Sequence, residues 1–402
     1  MLIDKLLDYV SYDTQSCEET DDFPSSEGQW DLARHLLDEL QDLGLENTQL
    51  DDYCYVYGYL PGDEQYLTIG LMAHMDTAPQ ASGKNVKPRI IENYDGEDII
   101  LNENGVRTSV RRFPELVNYK GKTLVVSDGN TLLGADDKAG IACIMEVLEI
   151  LVNNPEIKHG PIWVCFSPDE EVGKGTLHFN YDLFKVDYAY TLDGDYPNCI
   201  EYENFNAASA DVKINGISVH PGSAKNTMVN ALQVAHEFHS MMDSEAMAEK
   251  TEGYEGFNLL INMTGEIESA KLHYIIRNHD MDLLNKQKHD FEIIKDKLNE
   301  KYGYEAVCLT ISDSYRNMKE KFIGHEQPIN LVKQAMQEIG LEYREVAIRG
   351  GTDGANLTWN GILCPNLGTG GHNFHGVHEF WCEQEGLKVV ELVIKILSLA
   401  KK

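Results

Sequence analysis

The feature that most restricts this chain is a set of short apolar runs, each followed at once by an acid or a histidine. Ile162-Trp163-Val164-Cys165-Phe166 leads into Pro168-Asp169-Glu170-Glu171, and Tyr188-Ala189-Tyr190-Thr191-Leu192 ends at Asp193. The run Tyr66 to Met72 ends just before His74. Runs of this length and continuity predict strands buried on both faces, as in a parallel sheet layered with helices. Between them, Ala139 to Val152 places Ile141, Ile144, Val147, Leu148 and Leu151 on one helical face, and Pro155 follows its end. Strand-helix-strand order of this kind predicts an α/β sheet. Ligands of such sheets bind beyond the carboxyl ends of the strands. His74, the 169–171 acids and Asp193 are therefore expected to converge.

The first segment continues the alternation. Ser26 and Gln29 have the spacing of a capping box, and Trp30, Ala33, Leu36, Leu37, Leu40 and Leu43 recur at helical intervals before Gly44. A further strand is expected at Thr123 to Val126. After Asn206 the pattern changes to strands at Ala208–Ile214, Tyr274–Arg277 and Ala306–Ile311 and helices near Met228–Met241 and Asp290–Lys301, a small α+β insert. Helices near Ile329–Ile339 and Glu385–Ala400 close the chain. With 402 residues, two domains are expected. They are a discontinuous catalytic domain at 1–206 and 318–402, an α/β/α sandwich, and an inserted domain at 207–317.

Lys and Arg number 34 against 66 Asp and Glu, a formal charge of −32. That balance argues against nucleic acid or an anionic membrane as partner, since both require basic patches. No signal pattern opens the chain and no apolar run spans a bilayer. The eight cysteines form no Cys-x-x-Cys pair, and Cys54, Cys143, Cys165 and Cys308 sit in apolar or aromatic runs, as buried thiols do. A cytoplasmic location is expected.

The chemistry-bearing residues make up the inventory of a two-metal hydrolase. His74-Met75-Asp76 supplies an imidazole and an acid able to orient it. Asp136 and Asp137 precede a helix, where acids favour the N-terminus; Asp137 suits that role, and Asp136 has the additional capacity to bridge two metals. In Asp169-Glu170-Glu171 adjacent carboxylates can divide metal binding and proton transfer. His372, His375 and His378 are all candidates, and spacing does not choose among them. Gly134 and Gly140 do not make a phosphate loop, because no Gly-Lys-Ser/Thr closes it.

These residues resemble the zinc-dependent aminoacylase and carboxypeptidase superfamily, and in particular its tripeptide aminopeptidases. The likeness runs end to end, through Ser25-Ser26-Glu27-Gly28-Gln29-Trp30, Leu133-Gly134-Ala135-Asp136-Asp137-Lys138, Glu203-Asn204-Phe205-Asn206, His273-Tyr274-Ile275-Ile276-Arg277 and Ile348-Arg349-Gly350-Gly351-Thr352-Asp353-Gly354. It implies two zinc ions per subunit, with cobalt or manganese suited to the same ligands. One zinc takes His74, Asp136 and Asp193; the other shares Asp136 and takes Glu171 and His375, the histidine followed four residues later by Glu379. Glu170 becomes the general base and Asp76 the orienting acid. The insert becomes a lid and dimerisation domain, whose His220, in Val219-His220-Pro221-Gly222, stabilises the oxyanion in a partner subunit of a homodimer. Arg349, and less directly Arg277, anchor the substrate carboxylate. The implied reaction releases the N-terminal residue of a tripeptide with a free α-amine. Rival readings are an acylase, deacylase or carboxypeptidase, or a noncatalytic metal-binding homologue. Asp195 departs from the resemblance, which usually has a second glycine there.

Overall fold

The computed structural model describes all 402 residues, which divide into two units. The first comprises Met1–Tyr202, Glu320–Val346 and Thr352–Lys402; the second comprises Glu203–Lys319 with the short segment Ala347–Gly351.

The first unit is an α/β/α sandwich on an eight-stranded sheet. Its order is Glu46–Leu50, Val56–Leu60, Ile162–Ser167, Ile69–His74, Tyr188–Gly194, Asn366–Gly368, Cys199–Asn204 and Arg344–Ile348. The central strands run parallel, with Ile69 opposite Ile162 and His74 opposite Ser167. Every residue of Ile69–His74 and of Ile162–Ser167 is buried, which explains their unbroken apolar character: both faces are covered. Helices Leu2–Tyr9 and Glu383–Leu399 pack on helix Ala135–Asn153, which itself lies on the Ile69–His74 strand. Tyr55, Tyr57, Trp163, Phe179, Phe184 and Leu357 belong to a further buried cluster of the unit.

Several local expectations shift. The strand expected at Tyr66 to Met72 runs Ile69–His74, so His74 is its last residue. Helix Gly28–Asp42 lacks the expected capping box: its N-cap is Glu27, without a side-chain cap, and the Gln29 side chain turns mainly to Asp169. The strand at Leu124–Val126 joins a separate antiparallel sheet with Arg89–Ile91 and Phe380–Cys382, not the main one. Cys308 is only half-buried, because its strand flanks the second unit's sheet; all eight cysteines are free thiols.

The second unit alternates β-α-β-β-α-β. Strands Phe257–Gly265, Ser269–Asn278, Asn206–Asn215 and Val307–Asp313 form one antiparallel sheet in that spatial order. Ala208, Ala210, Val212 and Ile214 point inward at period two and meet helices Ala231–Ser240 and Met281–Tyr302 over an apolar core. Strand Phe257–Gly265 carried no periodic signal strong enough to be expected; its second half is exposed.

Candidate metal centre

Three neighbouring strand ends and two loops of the first unit converge at one place. His74 ends its strand with its imidazole almost fully buried, 3 % exposed. Nε2 lies 3.0 Å from Asp136 Oδ1 and 3.4 Å from Asp193 Oδ1. Nδ1 faces Asp76, 3.1 Å from its carbonyl and 3.3 Å from Oδ1. The other oxygen of Asp136, Oδ2, lies 3.1 Å from His375 Nε2, and that same nitrogen is 3.1 Å from Glu171 Oε2. The Asp136 carboxylate thus stands between two imidazoles, one oxygen to each.

The backbone holds these groups through buried carboxylates. Asp76 accepts the N–H groups of Glu170 (3.0 Å) and Glu171 (3.1 Å), fastening the acidic turn to the loop after His74. Asp169, fully buried at φ 56°, sits in the left-handed region that aspartate tolerates better than most residues. It accepts from Ser25 N at 2.7 Å, Ser25 Oγ at 2.5 Å and Gln29 Nε2 at 2.8 Å. Glu379 accepts from the backbone N–H groups of Leu133, Gly134 and Asp136 at 2.7, 2.8 and 3.0 Å, and so fixes the loop carrying Asp136. In the sequence Glu379 stands only as a marker for His375, Gln29 as a capping-box residue and Asp169 as one of three adjacent acids, and nothing points to the contacts they make here. Their partners lie more than a hundred residues away in sequence, beyond the reach of any local pattern.

Asp137 takes the place of a helix-start acid. Its Oδ1 accepts Gly140 N–H at 3.2 Å, while Oδ2 accepts the backbone N–H of His74 at 3.1 Å. Ligand atoms of His74, Asp137 and Asp193 also lie within 4.8 Å of one another, as do those of His74, Asp136 and Glu171. With Asp137 aimed at backbone donors, Asp136 is the better shared ligand. Of the other histidines, His372 Nε2 meets Tyr119 and Glu385, and His378 Nδ1 meets Thr108, so neither joins the cluster. Asp195 is exposed, and its carbonyl accepts Gly370 N–H.

The fields agree with this arrangement. Burial would depress the His74 imidazole, yet hydrogen bonds to Asp136, Asp193 and Asp76 raise it well above its ordinary value. Hydrogen bonds to Asp136 and Glu171 raise His375 to about 11. Burial would raise Asp136, but His375 and His74 hold it below the usual carboxylate range. Burial lifts Glu171 to about 7 and, with the Asp193 charge, lifts Glu170 as well. Glu171 Oε1 is buried without a hydrogen-bond partner, a costly state for a carboxylate oxygen. Nitrogen and carboxylate donors this close, with an orphaned oxygen among them, fit divalent metal ions of the zinc type.

The second unit's candidates are placed differently. His220 is exposed on the loop before the short turn Pro221–Ser223, its Nδ1 accepting Gly222 N–H at 3.1 Å. Arg349 spends its guanidinium within its own unit. Nη1 donates to the carbonyls of Gly253 (2.7 Å) and Glu255 (2.9 Å), Nη2 donates to Thr251, and the group lies over Phe205 and Phe257. Arg277 Nη1 donates to the carbonyls of Ala208 and Ile276, with the guanidinium over Tyr315.

A cluster of imidazoles and carboxylates at the ends of parallel strands, with His74 at its buried floor and His375 at its exposed rim, defines a metal-dependent hydrolase class, and comparison with known proteins agrees. Residues 122–399 match the model of Peptidase family M20/M25/M40, and the chain belongs to that family, an enzyme of the peptidase class. Among curated relatives, Peptidase T of Alkaliphilus oremlandii (strain OhILAs) is 47 % identical over 406 residues, covering 100 % of this chain and 99 % of the relative. Two solved structures share the fold, each at 22 % identity. The aminopeptidase PepT from Bacillus cereus ATCC 10987 has a TM-score of 0.77, covering 99 % of this chain and 98 % of that one. A tripeptidase from Staphylococcus aureus subsp. aureus mu50 has a TM-score of 0.78, covering 99 % and 97 %.

Proposed function

We propose that this protein is a dizinc aminopeptidase that releases the N-terminal residue of tripeptides, with Glu170 as general base. The observation that carries the reading is the Asp136 carboxylate set between His74 and His375, with Asp193 beside the first and Glu171 beside the second. The full-length likeness to Peptidase T supports the substrate class, and cobalt or manganese are alternative ions for the same donors. No helix is long and apolar enough to cross a membrane, and eight free thiols suit a reducing compartment; we place the enzyme in the cytoplasm.

When bound, two divalent ions supply a water of lowered pKa and a Lewis acid for the scissile carbonyl. His74, Asp136 and Asp193 would hold one ion; Asp136, Glu171 and His375 would hold the other. Asp76 faces His74 Nδ1, which leaves Nε2 for metal and sets the tautomer. Glu170, half-buried and raised above the ordinary carboxylate range, accepts the proton of the attacking water and delivers it to the leaving amine. His220 of a partner subunit stabilises the developing oxyanion in a homodimer, the inserted domain serving as lid and dimer contact. Arg349 anchors the substrate carboxylate once its bonds to the 251–255 loop open; Arg277, held by the Ala208 and Ile276 carbonyls, is the alternative.

Two experiments test the reading. Glu170→Gln is expected to abolish turnover with both metals retained, and an active variant removes Glu170 from the mechanism. A panel of di-, tri- and N-blocked peptides should show preference for free tripeptides. Equal rates on N-blocked peptides would point instead to an acylase, deacylase or carboxypeptidase.

A further inference from the structure

Beneath the turn that carries Glu170 lies a buried acid that the mechanism does not use. Asp353 opens helix Asp353–Trp359 and is 4 % exposed. Ser167 Oγ donates to its Oδ2 at 3.0 Å. Ser167 is itself buried, ends its strand opposite His74, and stands three residues before Glu170. On the other side Asp353 meets Gly175. A Cβ at that glycine would stand 2.3 and 2.4 Å from the two carboxylate oxygens, closer than any side chain permits. Only a residue without a side chain lets the backbone come this near.

The segment from Asp169 to Gly175 is therefore pinned at both ends. At its start Asp76 holds the Glu170 and Glu171 amides. Within it, Gly173 N–H donates to Glu170 O at 2.7 Å and Lys174 N–H to Asp169 O at 2.9 Å. At its end Gly175 rests on Asp353, and its carbonyl accepts the Tyr55 hydroxyl at 2.9 Å. Asp353 and Glu170 also line one cavity of about 10 Å³, together with His74, Ser167, Thr191 and Asp193. Space so small leaves Glu170 little room to retreat, and removal of the 353 side chain would enlarge it directly.

We propose that Asp353 is a positioning residue for Glu170: hydrogen-bonded to Ser167 and packed on Gly175, it closes the space behind the general base and sets the height of its turn. This rests on the assignment of Glu170 as base. A base displaced by about 1 Å loses on the order of 100-fold in rate.

The test is a double-mutant cycle in the full-length, zinc-loaded enzyme, with the peptide-bond cleavage rate, zinc content and amide exchange measured. Asp353→Ala should lower kcat about 10- to 100-fold, with KM within about twofold and two zinc ions retained. Gly175→Ala should lower kcat comparably alone, yet add nothing in the Asp353→Ala background, where the clashing carboxylate is gone. Asp353→Asn keeps the shape and should keep kcat within about threefold of wild type. In the zinc-free protein, the Gly173 and Lys174 amides should exchange faster in Asp353→Ala than in wild type, a readout independent of turnover. A wild-type kcat in Asp353→Ala overturns the proposal, as does a Gly175→Ala effect of equal size in both backgrounds. If Asp353→Ala does not fold, wild-type kcat in both Ser167→Ala and Gly175→Ala overturns it. An inactive Glu170→Gln beside a fully active Asp353→Ala defeats this inference alone, whereas an active Glu170→Gln defeats the reading beneath it.

Discussion

The two units handle polar chemistry in opposite ways. In the first, imidazoles and carboxylates converge, from buried His74 through half-buried Asp136, Glu171 and Asp193 to exposed His375, and a further ring of buried acids (Asp76, Asp137, Asp169 and Glu379) grips backbone N–H groups around them. In the second, the core is apolar and the polar candidates either face solvent, as His220 does, or bind their own unit's carbonyls, as Arg349 does. Buried charge is costly unless paired and hydrogen-bonded, so a chain accumulates it only where many partners converge. The first unit therefore brings its candidate metal ligands together within one chain. The second carries groups whose use depends on what meets them.

Removing a shared ligand should have the largest effect. Asp136→Asn is expected to release both metals and reduce turnover by about three orders of magnitude or more, read by zinc content after dialysis and by peptide hydrolysis. Zinc retained at both positions would break the claim that one carboxylate serves two ions. His220→Ala should instead leave zinc content unchanged and lower kcat about 100-fold. Mixing His220→Ala with Glu170→Gln chains should restore part of the activity, since one site of the mixed dimer then has both residues intact. No recovery in such mixtures would remove His220 from the partner's site.

The sandwich was legible because buried parallel strands are apolar throughout and end at candidate site residues; Ile162–Ser167 and Tyr188–Gly194 gave themselves away in this manner. The grouping of His74, Asp136, Glu171, Asp193 and His375 came partly from strand ends and partly from family resemblance. The supporting acids were not legible. Gln29 reads locally as a capping-box residue, yet its amide serves Asp169, 140 positions away. Glu379 reads only as the glutamate that follows His375 by four residues until the loop from Leu133 to Asp136 is folded over it. Nor did Arg349 announce its local bonds, because backbone carbonyls leave no trace in a side-chain pattern.

Glu379 sharpens the comparison at smaller amplitude. It touches no candidate ligand side chain but holds the Asp136 loop through three amides, and burial pushes its carboxyl up to about 7. Glu379→Ala should weaken zinc affinity by about 10- to 100-fold, the usual cost of losing a residue that orients a ligand. Competition with a fluorescent chelator measures it. A variant with unchanged affinity would mean that the Asp136 loop holds its shape without this carboxylate.

The smallest expected effect concerns Glu201, a carboxyl near the centre with no part in it. Burial, then the charges of Asp195 and Asp193, push it up to about 8 from an ordinary value of 4.5. The folded state then binds more protons than the unfolded chain between those two values, so this group's contribution to stability falls as pH rises from about 4.5 to about 8. Glu201→Gln cannot ionise and escapes that loss. The variant should match wild type near pH 4.5 and melt higher by about 2 °C at pH 8, measured by calorimetry on the metal-free protein. A difference independent of pH would show that Glu201 is not desolvated in the folded chain, and that the dense acidity of this unit ends at the ligands themselves.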